Sequence, residues 1–248
     1  MIVCAGGCGA RTAQYLLDTD EELLIIGSEL DLQFVERAPD DRKVVVNAGD
    51  PRGGYKDYRR TIRKIRKDLK PVVSSLQSWT RETKKAPVVV FGLGGAVGLA
   101  TAGILADAVP VVAMTVLPDS KEAVAAEAVE RFDFLLGRKK AVLVHAFQNP
   151  DCGDVSVLRD VAVAATQWTG KTVDTIVNAD ANGDAYLDGE LTTVDELRDF
   201  LKGLAPRRAR VVKGGEEHEV SVKVPARTAT NGGGDQGERK NRDLLDLL

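Results

Sequence analysis

Apolar and polar positions alternate along this chain in blocks. Short runs rich in Val, Ile and Ala, most of them without polar alternation, occupy residues 2–5, 22–27, 43–47, 87–91, 109–117, 141–145 and 172–178. Runs of that length predict strands covered on both faces. Between them, apolar residues recur every three or four positions at 10–18, 56–70, 71–83, 96–108, 120–132 and 154–168, which predicts helices. Strands that alternate with helices predict βαβ units, a parallel sheet and a Rossmann-like α/β fold. Ligands of such sheets sit beyond the carboxyl ends of the strands.

The pattern changes after Asn178. "ADANGDAYLDGEL" reads as a polar turn. "TTVDELRDFLKG" reads as a short helix with Thr192 or Thr193 as N-cap and Gly203 as its stop. "RARVVKGGEEHEVSVKVP" reads as a hairpin around Gly214 and Gly215. The remainder combines a Gly-rich polar linker, expected to be disordered over 228–242, with an apolar end. The expected organisation is a main domain at 1–180, a small helix-hairpin appendage at 181–226, and a flexible linker with a terminal peptide at 227–248.

Composition narrows the function classes. The 248 residues are 44% hydrophobic, enough for a sizeable core, and a formal net charge of −3 argues against a nucleic-acid binder. No apolar run approaches the roughly 18–20 residues of a bilayer-spanning helix. The N-terminus reads as a strand and a glycine turn with no basic region before it, so no signal peptide is expected. Three cysteines without paired spacing, Cys4, Cys8 and Cys152, fit a reducing cytoplasm. With only His145 and His218 beside them they make no metal set. The cysteines read as small buried hydrophobes and His145 as a structural histidine. Residues 55–70 carry eight basic and two acidic side chains around an apolar stripe of Tyr58, Ile62, Ile65 and Leu69. That is a packed helix with a solvated basic back, or a contact surface for an acidic partner.

Three glycine-containing loops follow predicted strands: "IVCAGGCGART", "VVVNAGDPRGGYKD" and "VVVFGLGGAVGLATAGILAD". Gly6, Gly7 and Gly9 in the first, and Gly92, Gly94, Gly95 and Gly98 in the last, let backbone approach a phosphate. The helix that follows offers free N–H groups and a positive dipole end. No Gly-Lys-Ser/Thr follows either loop, so neither is a Walker loop. The pattern G-x-G-x-x-G is only loosely met, although Glu29 and Asp31 stand where a dinucleotide enzyme keeps its ribose-binding acid. A tight ligand-free turn explains any one loop. Three at the ends of successive strands suffice to wrap a triphosphate.

On these residues the chain resembles the tubulin/FtsZ superfamily, the archaeal FtsZ-like and CetZ proteins in particular. "AGGCGARTAQYL" is similar to that family's first phosphate loop. "GLGGAVGLATAGILAD" followed by "VVAMTVLP" resembles its signature loop, helix and strand, and "NAGDPRGG" its third loop; order and spacing match over about residues 1–180. The resemblance implies a tubulin/FtsZ-type GTPase domain with a short, reduced C-terminal appendage. It implies GTP or GDP, with Mg²⁺ as an accompanying ion, held by Gly6, Gly7, Cys8, Gly9 and Arg11, by Ala48, Gly49, Asp50 and Pro51, and by Gly94, Gly95, Ala96, Val97 and Gly98. It places Asn149 at the base and ribose and Asp160 at the guanine edge.

The family's acidic motif, N-x-D-x-x-D, comes from a loop after the central helix of a neighbouring subunit. Asn178, Asp180 and Asp184 in "VNADANGD" match it with one extra residue. The resemblance further implies head-to-tail self-association, a cytoskeletal or cell-division role, and a terminal peptide from Arg242 to Leu248 that docks a protein partner. Departures from the motif carry their own expectation. Val97 and Leu99 stand where hydroxyls are usual, Ala96 and Ala100 where glycines are, and Arg11 where an Asn is. Phosphate contact then falls to N–H groups and to the Arg11 guanidinium, and hydrolysis is expected to be slow or absent. Two other readings stay open: a Rossmann-type dinucleotide oxidoreductase using Glu29 or Asp31, and a scaffold of the same family without nucleotide. Asp180, Asn182, Asp184 and Asp188 also mimic the first ligands of a calcium loop, though Ala185 and Leu191 replace its glycine and its last acid.

Overall fold

The computed structural model describes residues 1–49, 57–120, 122–149 and 155–204, and the backbone of 207–213 and 216–222. Asp50, Pro51, Cys152, Gly214, Gly215 and the terminal peptide from Arg242 to Leu248 lie outside the described residues. Eight strands form one sheet: β1 (Ile2–Ala5), β2 (Leu23–Gly27), β3 (Lys43–Val45), β4 (Val88–Gly92), β5 (Val111–Val116), β6 (Val142–Phe147), β7 (Asp184–Leu187) and β8 (Glu190–Thr193). Their order is β3-β2-β1-β4-β5-β6-β7-β8. Every pairing from β3 to β7 is parallel, and β8 closes the sheet antiparallel to β7. The chain builds outward from β1 to β3, then crosses back to place β4 on the other side of β1. Strand order therefore reverses between β1 and β4, where open α/β sheets form their ligand crevice.

Nine helices are described: α1 (Gly6–Ala13), α2 (Glu29–Leu32), α3 (Tyr58–Ile65), α4 (Lys70–Thr83), α5 (Ala96–Ala106), α6 (Ala128–Leu136), α7 (Ser156–Trp168), α8 (Val173–Asn182) and α9 (Val194–Leu204). The period-2 alternation of each strand divides the core into two layers. Val3, Ala5, Val89 and Phe91 face the layer that contains α3, α5, α6 and α9, while Ile2, Cys4, Val88 and Val90 face α1, α7 and α8. Every residue of α5 is buried. Leu99 and Leu105 in it are wholly enclosed, each contributing roughly 1.5–3 kcal/mol relative to exposure.

Three expectations are corrected. Residues 172–178, read as a strand, begin α8. Thr172 Oγ1 accepts a hydrogen bond from Thr175 N at 3.2 Å, and Gly183, at φ 73°, closes the helix. The two caps outweigh the β-branched composition between them. Residues 180–191 are not one turn but the end of α8 and the β7–β8 hairpin. The segment does not form the single loop that a calcium site of this pattern needs: Asp180 Oδ1 accepts from Val142 N, Asp188 Oδ1 accepts from Gln148 N beyond the other end of β7, and no group of three or more His, Cys, Asp or Glu side chains placed to hold a metal occurs among the described residues. Finally, residues 184–204 do not stand apart from the first 180. β7 and β8 extend the main sheet, and α9 packs Leu197 and Leu201 into its core.

Helix α9 begins with a reciprocal cap at Thr193. Glu196 N donates to Thr193 Oγ1 at 3.2 Å, and Thr193 N donates to Glu196 Oε2 at 3.0 Å. It continues through Gly203 to Leu204 instead of stopping at the glycine. β9 (Arg207–Lys213) and β10 (Glu216–Val222) form the expected antiparallel hairpin. No helix among the described residues is long and apolar enough to cross a membrane.

Candidate functional site

A cleft of about 620 Å³ opens over the β1/β4 reversal, at the carboxyl edge of the sheet. Two helices start directly on strand ends beneath it. α1 follows β1 with Ala5 as N-cap, and α5 follows the tight turn of β4 with Gly95 as N-cap; neither has a side-chain cap. The turn is closed by Gly95 N donating to Gly92 O at 3.0 Å. The N–H groups of Ala96, Val97 and Gly98 meet no acceptor among the described residues, and all three residues line the cleft. Gly7 and Cys8, in the first turn of α1, line it from the other side.

The glycines of the two loops divide by what surrounds them. A Cβ on Gly6, at φ 66°, would fall 2.7 Å from Gly98 N, and one on Gly98 would fall 2.8 Å from Ala5 O. These two glycines let the starts of α1 and α5 touch. Gly9 is a packing glycine outside the cleft lining, since its Cβ would meet Val90 O at 2.6 Å. Gly95 lines the cleft with room to spare, its nearest neighbour being Gly92 O at 3.4 Å.

Side chains complete the walls. Arg11 is exposed, its Cζ 4.0 Å from the centre of the Phe34 ring, with no carboxylate in ion-pair reach among the described residues. Asp31 Oδ2 accepts from Ser28 N at 3.0 Å and Ser28 Oγ at 2.9 Å, which leaves Oδ1 turned toward Gly7. Glu122 lines the cleft beyond β5, its Oε1 accepting from Asp119 N at 3.3 Å. Burial pushes the Cys8 thiol up to about 12 against the opposing pull of Arg11, so it is protonated near neutral pH and no nucleophile. Asn149 lines the cleft, and its buried Oδ1 meets no hydrogen-bond donor among the described residues. A buried amide oxygen without a donor is costly, and a ligand N–H or O–H would satisfy it. Val155, Val157 and Leu158, at the start of α7, form an apolar wall beside it.

No protein-family model and no curated protein matches the sequence. Solved structures do match in fold. CetZ1 from Haloferax volcanii, a GDP-bound monomer, superposes with a TM-score of 0.58 at 18% identity, covering 74% of this chain and 64% of that one. A protofilament of TubZ from bacteriophage PhiKZ gives 0.53 at 14% identity over 67% and 54%. TubZ from Clostridium botulinum phage c-st, with its C-terminal tail truncated, gives 0.54 at 16% over 67% and 59%. The chain has the tubulin/FtsZ fold. It spans between 54% and 64% of the length of these neighbours.

Within the tubulin/FtsZ fold the sequence-derived residues separate into groups. Gly6, Gly7, Cys8, Arg11, Gly94, Gly95, Ala96, Val97, Gly98 and Asn149 meet in the cleft. Asp160 is exposed on α7 and does not line it. Ala48 and Gly49 also stay outside the lining. Gly49 N donates to Asn47 Oδ1 and Asn47 N to Asp68 Oδ2, both at 2.9 Å, so the described start of this loop folds back on the segment after α3. Asn178 and Asp180 lie on α8 rather than in a loop, and Asp184 opens β7. Asp180 bonds the first residue of β6, which puts this acidic group at the amino edge of the sheet, across from the cleft.

His145 is in mid-β6, stacked on Tyr186 at 4.1 Å and edge-on to Trp168 at 4.3 Å. Burial lowers its pKa to about 3, so it is uncharged near neutral pH. Sequence reasoning missed Glu122 and Arg131. Arg131 had a readable signal: with Ala128, Phe132 and Leu135 it occupies the buried stripe of α6 at helical spacing.

Proposed function

We propose that the cleft binds a guanine nucleotide, GTP or GDP, and that the chain associates head to tail with copies of itself. One observation carries the first part. Two helix starts without side-chain caps converge in a single cleft with Asn149 Oδ1, which meets no donor among the described residues, at the reversal point of a tubulin/FtsZ fold. The phosphates would lie against the N–H groups of Ala96, Val97 and Gly98, with Gly7, Cys8 and the Arg11 guanidinium on the facing side. The base would lie toward Asn149 and the wall of Val155, Val157 and Leu158. A volume of about 620 Å³ is within the range of ligand pockets. The GDP-bound state of CetZ1 supports the same ligand class. Mg²⁺ would supply charge neutralisation at the phosphates, and Asp31 and Glu122 are the carboxylates in the lining.

Val97 and Leu99 bring no hydroxyl to the loop, so hydrolysis is slow or absent in this reading. Any catalytic help from Asn178, Asp180 and Asp184 must come in trans. They stand at the amino edge of their own sheet, and a head-to-tail neighbour would carry them to the cleft. Head-to-tail contact is also supported by the protofilament of PhiKZ TubZ. One observation favours a second reading. Asp31 Oδ1 faces the first glycine loop just beyond β2, where a dinucleotide enzyme binds a ribose diol.

A thermal-shift panel of GTP, GDP, ATP and NAD, each with Mg²⁺, separates these readings. At a hundred-fold excess over Kd a ligand stabilises by about 2.7 kcal/mol, or about 5–10 °C for a chain of this size. GTP and GDP are expected to give that shift and NAD none. A shift with NAD alone establishes the dinucleotide reading, and none with any of the four leaves a scaffold. GTP turnover per chain is expected to fall on dilution, because a shared site needs two chains; turnover that stays flat refutes the acids in trans.

A further inference from the structure

Arg131 heads the fully buried side chains in size, with 1% of its surface exposed. Its Nη1 donates to Leu93 O at 3.3 Å and to Gly94 O at 3.4 Å. Nε and Nη2 both donate to Glu127 Oε2, at 3.1 and 2.9 Å. The guanidinium also lies over the ring of Tyr58, 5.2 Å from its centre. The preceding residue on α6 holds the same ring from its other end: Glu130 Oε1 accepts from Tyr58 Oη at 2.7 Å and pairs with Arg59 Nη2 at 2.9 Å. Through two successive side chains α6 therefore grips both the turn before α5 and the first turn of α3.

A buried cation costs stability unless its donors are satisfied. Among the described residues its donors reach a half-exposed carboxylate and two carbonyls of a glycine turn that has no side-chain cap of its own. Among the described residues, no other side chain hydrogen-bonds the backbone of Leu93–Gly98. In a trans peptide the C=O and the following N–H point in opposite directions. Drawing the Leu93 and Gly94 carbonyls toward α6 thus sets the N–H groups of Gly94 and Gly95 away from it. The Gly95 N–H closes the turn onto Gly92 O, and the first turn of α5 continues from there into the cleft lining.

We infer that Arg131 is a positioning residue. Its planar fork holds the Leu93–Gly94 carbonyls toward α6, orients the N–H groups at the start of α5, and couples that turn to α3. A lysine keeps the charge but, as a point donor, cannot span Glu127 and both carbonyls. The binding half of the inference rests on the proposed nucleotide reading; the positional half does not.

The test uses the full chain and compares Arg131→Lys and Arg131→Met with wild type, by amide hydrogen exchange and by GDP titration with Mg²⁺. Exchange at the hydrogen-bonded amides of the turn, Leu93 and Gly95, is expected to quicken about tenfold in both variants, as one lost buried hydrogen bond would allow, with the interiors of β4 and α5 unchanged. GDP affinity is expected to fall by about the same factor. Local quickening in a protein whose wild type binds no nucleotide upholds the positioning role and defeats the nucleotide reading. Unchanged exchange at Leu93 and Gly95 overturns the inference. So does uniform quickening across α6, β4 and the turn, which a purely packing role would produce, and so does a lysine variant that behaves as wild type. If neither variant folds, Glu127→Gln, at a half-exposed position, loosens the other end of the fork. It must give the same local change at smaller amplitude, and no change there overturns the inference equally.

Discussion

Gly95→Val is expected to abolish nucleotide-dependent stabilisation while the protein stays folded. The backbone at Gly95 is extended, φ −88° and ψ 137°, a conformation that valine favours. A Cβ there meets nothing closer than Gly92 O at 3.4 Å, so the core has no reason to reject it. The isopropyl group would instead project over the start of α5, where Ala96, Val97 and Gly98 offer their N–H groups. A phosphate could no longer approach them, and affinity is expected to fall at least about a hundred-fold, or about 2.7 kcal/mol. The measurement pairs GDP titration with the melting temperature without ligand. The expected result is a melting temperature within about 1–2 °C of wild type and no shift on adding GDP, as for an exposed substitution of small cost. A variant that binds GDP as wild type does would place the phosphate elsewhere.

Three residues later the same substitution is expected to do the opposite. Gly98→Val should cost at least about 3 kcal/mol of stability, the upper end of overpacking, and should often prevent folding. A Cβ at Gly98 would lie 2.8 Å from Ala5 O and 3.0 Å from Phe91 Cβ, and Gly98 N is itself the atom against which Gly6 fits. The obstacle is β1 backbone, held by neighbours on both sides, so relief requires α5 to move away from the sheet. Urea unfolding read by circular dichroism measures the loss. A wild-type midpoint would mean that the starts of α1 and α5 do not touch as described.

These two glycines mark where sequence reading stops. The glycine spacing announced a loop, but only packing separates Gly95, which faces the cleft, from Gly98 and Gly9, which fit against other backbone. Strands β1, β4 and β5 were legible because burial on both faces writes an unbroken apolar run. β7 was not, since four residues beginning with an acid carry no such run. The β-branched stretch before it imitated a strand, and the caps Thr172 and Gly183 were the sign that it is a helix. Asn149 was reachable through family resemblance alone. Asp31 was singled out for a different chemistry. Arg131 was legible in principle, as a charge on an apolar stripe, but its partners are carbonyls nearly forty residues away in sequence, and no local pattern encodes them.

The central place of β1 has a consequence for how the protein is made. β1 leaves the ribosome before either of its neighbours, yet it pairs along both edges, with β2 and with β4. β2 follows promptly. β4 emerges only after about 80 further residues, roughly 4–16 seconds at typical synthesis rates of about 5–20 residues per second. For those seconds the nascent chain carries an open edge flanked by Ile2, Val3 and Cys4, side chains that the finished protein hides completely. The segment translated during that wait includes the basic helix α3, whose charge keeps it a poor partner for the open edge. Slower translation across these residues is therefore expected to lower the soluble yield without changing the stability of the protein that does fold, which expression with slowed codons over 28–87 would measure.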